Sequence, residues 1–196
     1  MTQGERRKTF PKLVDKIEEI ADYHNGENGF IHCNSYEIAQ NIYDNLSVYV
    51  KRRTMLQDQK NREESLEKWM DSNKQIFLSV AQDEGISLDG DKARWQVVAK
   101  ASYPFVGDER VSYRLNELGD WNWYNGSAVI NLQQAAGRGM RSKDDWCTTY
   151  LIDSSFKSLL QRNRNLFEDW FLDAVNCDPA DEVTAKVPES KFTFST

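Results

Sequence analysis

A chain of 196 residues that is 39% hydrophobic can bury a core as one compact domain. Its formal net charge of −6 supplies no global positive field, so a site for a polyanion has to be a local cluster of cations. Cys33, Cys147 and Cys177 are an odd, widely spaced set without CxxC pairing, which supports neither a disulfide framework nor a zinc or iron–sulfur site; the charged MTQGERRKTF start lacks the apolar stretch of a signal peptide, and no apolar run reaches the ~20 residues of a membrane span. These features predict a cytoplasmic protein in a reducing compartment, with no metal site and no membrane partner.

GFIHC at 29–33 predicts a first strand, entered through the turn-like HNGENG. In SYEIAQNIYDNL, Ile38, Ile42, Asn45 and Leu46 recur at helical spacing behind a Ser35 N-cap. VYV at 48–50 predicts a second strand ending in Lys51, Arg52 and Arg53, and the charged segment 57–72 a helix with Leu66, Trp69 and Met70 on one face. QIFLSV at 75–80 and WQVVAKA at 95–101 predict the third and fourth strands, separated by a loop rich in Asp and Gly and stopped by Pro104. Residues 109–141 read as mainly helical with a break near Gly119 to Gly126, TTYLID at 148–153 as a fifth strand, and 157–175 as a closing helix. Alternating strands and helices predict an α/β domain over residues 1–176, its mostly parallel sheet covered on both faces. Residues 177–196 read as a loosely held extension, with KFTFST available as an edge strand.

Three segments carry residue types suited to chemistry. In QQAAGRGMR at 133–141, a continuous helix would project Gln134, Arg138 and Arg141 from one face, at i, i+4 and i+7. Glycine costs a helix interior about 1 kcal/mol relative to alanine, so Gly137 and Gly139 imply close approach by a phosphate or another domain. The alternative is a solvated face whose arginines pair with Asp144 and Asp145. QDEGISLDGDK at 82–92 has glycines at Walker spacing but Asp91 in place of the phosphate-binding lysine, so it is no P-loop. Asp83-Glu84 lacks the P-loop that a Walker B acid needs; the loop is either a ligand crevice at the end of a parallel strand or an acidic turn. HCNSYE at 32–37 joins a strand to a helix N-terminus, where Ser35 and Tyr36 either meet a nucleic-acid strand or serve as cap and packing. His32 and Cys33 read as core and turn packing, since His24 is the only other histidine and no metal-ligand set closes.

Together, GFIHCNSYEIAQNIYDNL, QDEGISLDGDKARWQVVAKASYPFVGDERV and QQAAGRGMR resemble motif IV, motif V and motif VI (QxxGRxxR) of XPD/DinG-family superfamily-two helicases. The resemblance spans roughly residues 10–175 and implies a RecA-like three-layer α/β/α fold, the second motor domain of an ATP-dependent DNA helicase. It implies that Arg138 and Arg141 act as arginine fingers on an ATP·Mg2+ that a first, P-loop-bearing motor domain holds, with Gln134, Gly137, Glu84 and Gly85 near the nucleotide. Ser35 and Tyr36 would lie near single-stranded DNA, with Lys51, Arg52 and Arg53 as further candidates for its phosphates, and the location would be cytoplasmic or nucleoid-associated. Ser87 stands where the family's EGxD pattern has aspartate. The P-loop, the Walker B acids and the inserted iron–sulfur element belong to the first motor domain, so this chain alone is expected to hold neither ATP nor a metal. Two readings stay open: part of a longer helicase, or a free-standing nucleic-acid-binding or regulatory module without catalysis.

Overall fold

The computed structural model describes residues 3–72, 75–80, 88, 90–140, 145–175, 183–187 and 190–194. Helix α1 (Gln3–Tyr23) precedes β1 (Gly29–Cys33), α2 (Tyr36–Asn45), α3 (Val48–Arg53), β2 (Thr54–Leu56), α4 (Arg62–Met70) and β3 (Ile76–Val80). Then come β4 (Trp95–Val98), α5 (Glu109–Asn116), α6 (Trp121–Ala136), β5 (Thr148–Leu151), α7 (Ser155–Arg162), α8 (Asp169–Ala174), β6 (Val183–Val187) and β7 (Ser190–Phe194). The strands lie in the order β2-β3-β1-β4-β5-β7-β6. All neighbouring pairs are parallel except β6 with β7.

Side chains alternate between the two faces of the sheet, and each face has its own cover. Ile31, Cys33, Leu78 and Val97 pack on one side against Val14, Ile17 and Ala21 of α1 and Ala39 and Ile42 of α2. The other side is divided. Phe30 and Phe77 pack with Trp69 of α4 and with Leu88, while Val98 and Leu151 pack with α6, α7 and α8. Between these apolar clusters runs a polar row: the strand register places His32 beside Ser79 and Gln96 beside Thr149, all on the divided face.

Several local expectations change. VYV is the first turn of α3, because the Ser47 side chain accepts from Val50 N and starts a helix whose last turn holds Lys51, Arg52 and Arg53, the favoured end for cations. The neighbouring strand is Thr54–Leu56 instead. Met70 is exposed, so the apolar face of α4 rests on Leu66 and Trp69. The break within 109–141 falls at Gly119, whose φ of 63° suits glycine, whereas Gly126 lies inside α6. The closing helix is two helices, α7 and α8, joined by the 3-10 turn Arg164–Leu166. In the C-terminal extension, β7 pairs with β5 and stands one strand in from the edge, which is β6.

Candidate functional site

Helix α6 ends at Ala136, and Gly137–Gly139 tightens into a 3-10 turn before the chain extends at Met140. That tightening takes Arg138 off the helix face that carries Gln134. Gln134 is exposed, Arg138 is only 6% exposed, and Arg141 lies outside the described residues. The turn is held from the sheet: Gln96 Nε2 donates to the Ala136 carbonyl at 2.9 Å and to Thr149 Oγ1 at 2.7 Å. Gln96 Oε1 is thereby left to accept from His32 Nε2, at 3.0 Å. Burial pushes the His32 pKa down to about 4 against the Gln96 hydrogen bond, and the positive charge of Arg138 pushes the same way. His32 is therefore neutral at pH 7.

The two glycines of this turn meet different surroundings. A Cβ on Gly139 would sit 2.4 Å from Cys147 Cβ and Sγ, whereas one on Gly137 would meet nothing within 4 Å. Internal packing accounts for Gly139, so only Gly137 offers open backbone to an approaching group.

Glu84, Gly85 and Ser87 lie outside the described residues. The end of their segment is held by two backbone donors. Leu88 N–H donates to the Arg138 carbonyl at 3.3 Å, and Gly90 N–H to Asp145 Oδ2 at 3.0 Å. Asp145 is also bound by Arg94 at 3.0 Å, and Arg94 in turn holds the exposed Asp91 and lies over the Trp146 ring at 4.9 Å. The described part of the segment read as motif V is thus fastened to both ends of the segment that follows α6.

At the carboxyl end of β1, Ser35 caps α2 by accepting from Ile38 N at 3.3 Å. Tyr36 packs under the Arg62 guanidinium at 5.6 Å, with its hydroxyl buried and unpartnered. Beside this turn opens a cleft of about 50 Å³ that Cys33, Asn34, Lys100, Ser102 and Asn131 help to line. Asn34 Nδ2 donates to the Ala101 carbonyl and Asn131 Nδ2 to that of Ser102, which ties α6 to the end of β4. Sequence reasoning missed Asn34, Lys100, Ser102 and Asn131; the available signal was a lysine and a serine directly after a buried parallel strand, where such sheets open to ligands.

Lys51, Arg52 and Arg53 do not join this turn. They precede β2, and because β2, β3 and β1 are parallel they stand at the opposite end of the sheet from Ser35. Lys51 donates to the Asp44 carbonyl and lies over Tyr43, while the Arg53 guanidinium nitrogens are buried beside Tyr49 without a hydrogen-bond partner. Among the described residues no group of three or more His, Cys, Asp or Glu side chains could hold a metal, and no helix is long and apolar enough to cross a membrane. Burial pushes the Cys33 thiol up to about 12 and the Cys147 thiol up as well, so neither is a reactive thiolate.

The helicase C-terminal domain family matches residues 17–174, a span that takes in β1 through α8. The chain belongs to that family. Solved structures share the fold of this helicase C-terminal domain. A chain named "XPD_Helicase" superposes with a TM-score of 0.61 at 20% identity, over 81% of this chain and 30% of its own length. One named "XPD_APO" gives 0.60 at 21% identity, over 80% and 34% of the two chains, and Xpd4 of S. tokodaii gives 0.60 at 19%, over 85% and 34%. This domain spans about a third of those proteins, and the architecture it shares with them is the RecA-like α/β/α sandwich. No curated protein matches the chain significantly.

Proposed function

We propose that this chain is the second motor domain of an XPD/DinG-like, ATP-dependent DNA helicase. The observation that carries the reading is the junction of two segments distant in sequence, where Leu88 N–H meets the Arg138 carbonyl. A nucleotide site shared between two domains requires such a meeting of the motif V and motif VI segments. Around it, Gln134 is exposed, Gly137 presents open backbone, and Arg138 lies where its charge acts through a poorly solvated interior. On this reading Arg138 and Arg141 stabilise negative charge on the phosphoryl group of an ATP bound to the P-loop of a first motor domain, with Glu84 and Gly85 nearby. On the same reading Mg2+ would arrive with the triphosphate held by that other domain.

Single-stranded DNA would cross the carboxyl end of the sheet, over Ser35, Tyr36 and the Asn34–Lys100 cleft. Backbone N–H groups at the start of α2 and the Lys100 ammonium suit phosphates. Lys51 and Arg52 lie at the other end, as a separate weak attraction for a polyanion.

The test combines this chain with a P-loop motor domain and measures ATP turnover. Arg138→Ala and Arg141→Ala are each expected to lower kcat by about 10³ or more, with a far smaller change in ATP affinity, because a finger contributes mainly as charge develops in the transition state. Turnover within twofold of the unsubstituted protein for both variants would overturn the assignment. The chain alone is expected to release no phosphate from ATP.

A further inference from the structure

The polar row beneath the Gly137–Gly139 turn is costly for packing alone. Gln96 is fully buried and Thr149 is 1% exposed, and polar groups in such positions are tolerated only when hydrogen-bonded. Apolar side chains would fill this face of the sheet as well, as Phe30 and Phe77 do on one flank and Val98 and Leu151 on the other. The hydrogen bonds of the row lead somewhere. They run from His32 on β1 through Gln96 on β4 to the carbonyl that ends α6, immediately before the turn carrying Arg138. The starting point is also informative, because His32 belongs to the same strand end as Asn34 and Ser35. Helix α6 makes a second connection between the same two places: Asn131 is fastened to the Ser102 carbonyl at the cleft, and the helix ends at the turn.

We propose that His32 and Gln96 are positioning residues that set the Arg138 turn according to what occupies the turn at Asn34–Tyr36, so that strand contact at one end of the sheet reaches the nucleotide side. This deepens the functional reading above and rests on it. A displacement of the β1 end or a shift of α6 breaks either the His32–Gln96 or the Gln96–Ala136 hydrogen bond, and the fully buried Gln96 amide then loses a partner. The row therefore has one satisfied arrangement, and Arg138 is held in register with it. The lowered pKa of His32 fits this role, since a neutral ring keeps a defined donor beside a guanidinium.

In the chain combined with a P-loop motor domain, Gln96→Leu and His32→Leu should lower DNA-stimulated kcat at least tenfold while KM for ATP and oligonucleotide Kd stay within threefold. His32→Gln, which keeps an N–H donor near the position of Nε2, should restore stimulation to within threefold. On the 196-residue chain by itself, the backbone amide NMR signals of Gly137 and Gly139 should move in Gln96→Leu by more than in His32→Gln. Should Gln96→Leu fail to fold, Thr149→Val removes one partner of the same amide and is expected to reduce stimulation in the same way. Intact stimulation in the leucine variants, or in Thr149→Val used in their place, overturns the relay if Arg138→Ala still abolishes turnover. Normal turnover in both Arg138→Ala and Arg141→Ala overturns the functional reading instead, and unmoved glycine signals then overturn the relay separately.

Discussion

The turn after β1 and the turn after α6 both carry polar residues between regular elements, yet their surroundings differ. At Asn34–Tyr36 the polar groups close local structure, Ser35 capping its own helix and Asn34 bonding a carbonyl of the adjacent strand end, and the face beyond them opens into a cleft. At Gly137–Gly139 the turn is held through the preceding carbonyl by Gln96, itself bonded to side chains on two other strands, and its arginine is buried. The first is a surface whose polar groups stand beside an open cleft. The second is a part of the core whose position depends on the sheet, which suits a group that must be placed accurately.

Alanine at the two glycines should separate these features most strongly. Gly139→Ala forces a Cβ onto Cys147 Cβ and Sγ, atoms rooted on the neighbouring backbone, so a loss of roughly 3 kcal/mol is expected, read as a lower denaturant midpoint. Gly137→Ala enters open space at an ordinary φ of −71° and should change stability by less than about 0.5 kcal/mol. If nucleotide approaches Gly137, that second variant should nonetheless weaken ATP turnover in the combined helicase. Equal stability losses would show that the two positions are not distinguished by packing.

A comparable effect should come from pH. Folding depresses the His32 pKa from 6.5 to about 4, so between those values the unfolded chain binds a proton that the folded chain does not. Stability from this group is thus fully present above about pH 6.5, falls as pH decreases, and is lost near pH 4, with a limiting slope of about 1.4 kcal/mol per pH unit. Thermal midpoints of the unsubstituted chain and of His32→Gln, measured from pH 7.5 to 4, should separate as pH falls, because only the unsubstituted chain loses this stability. Parallel curves would show that His32 titrates in the folded chain as it does in water.

Much of the sheet was legible because strands buried on both faces read as apolar runs, as in GFIHC and QIFLSV. The helical stripe of Val14, Ile17, Ile20 and Ala21 in α1 is equally visible in its spacing, although it stood outside the elements read in sequence. VYV was misread because three β-prone residues fit a strand and a helical turn alike, and the deciding information lay in Ser47 and the cations that follow. At the candidate site, motif spacing brought the right segments into view but not their geometry. Whether α6 continues through Gly137 depends on Gln96 and Cys147, which are remote in sequence, and the burial of Arg138 depends on a polar row assembled from three strands.

The cap at the open turn should be worth less than either effect above. Ser35→Ala removes one acceptor for Ile38 N–H and should cost about 1 kcal/mol. Binding of a short oligonucleotide should weaken with it if the start of α2 meets phosphate. A stability loss with unchanged binding would make Ser35 a cap alone.

The smallest expected effect concerns charge. With a net charge of −6 the chain repels a polyanion, and only a few cations can neutralise phosphates, so the slope of log affinity against log salt for single-stranded DNA should be shallow, about −1 to −3. Each contacting cation contributes about 0.7 to that slope on a single strand. Lys100, which lines the cleft beside Asn34, should contribute one such step, so Lys100→Ala should flatten the slope by about 0.7. Arg53 should contribute none, because its guanidinium nitrogens are buried at the opposite end of the sheet, and Arg53→Ala should alter stability while leaving the slope unchanged. Titration of a labelled oligonucleotide at several salt concentrations distinguishes the two. A slope that responds to Arg53 and not to Lys100 would move the strand from the cleft to the α3 end of the domain.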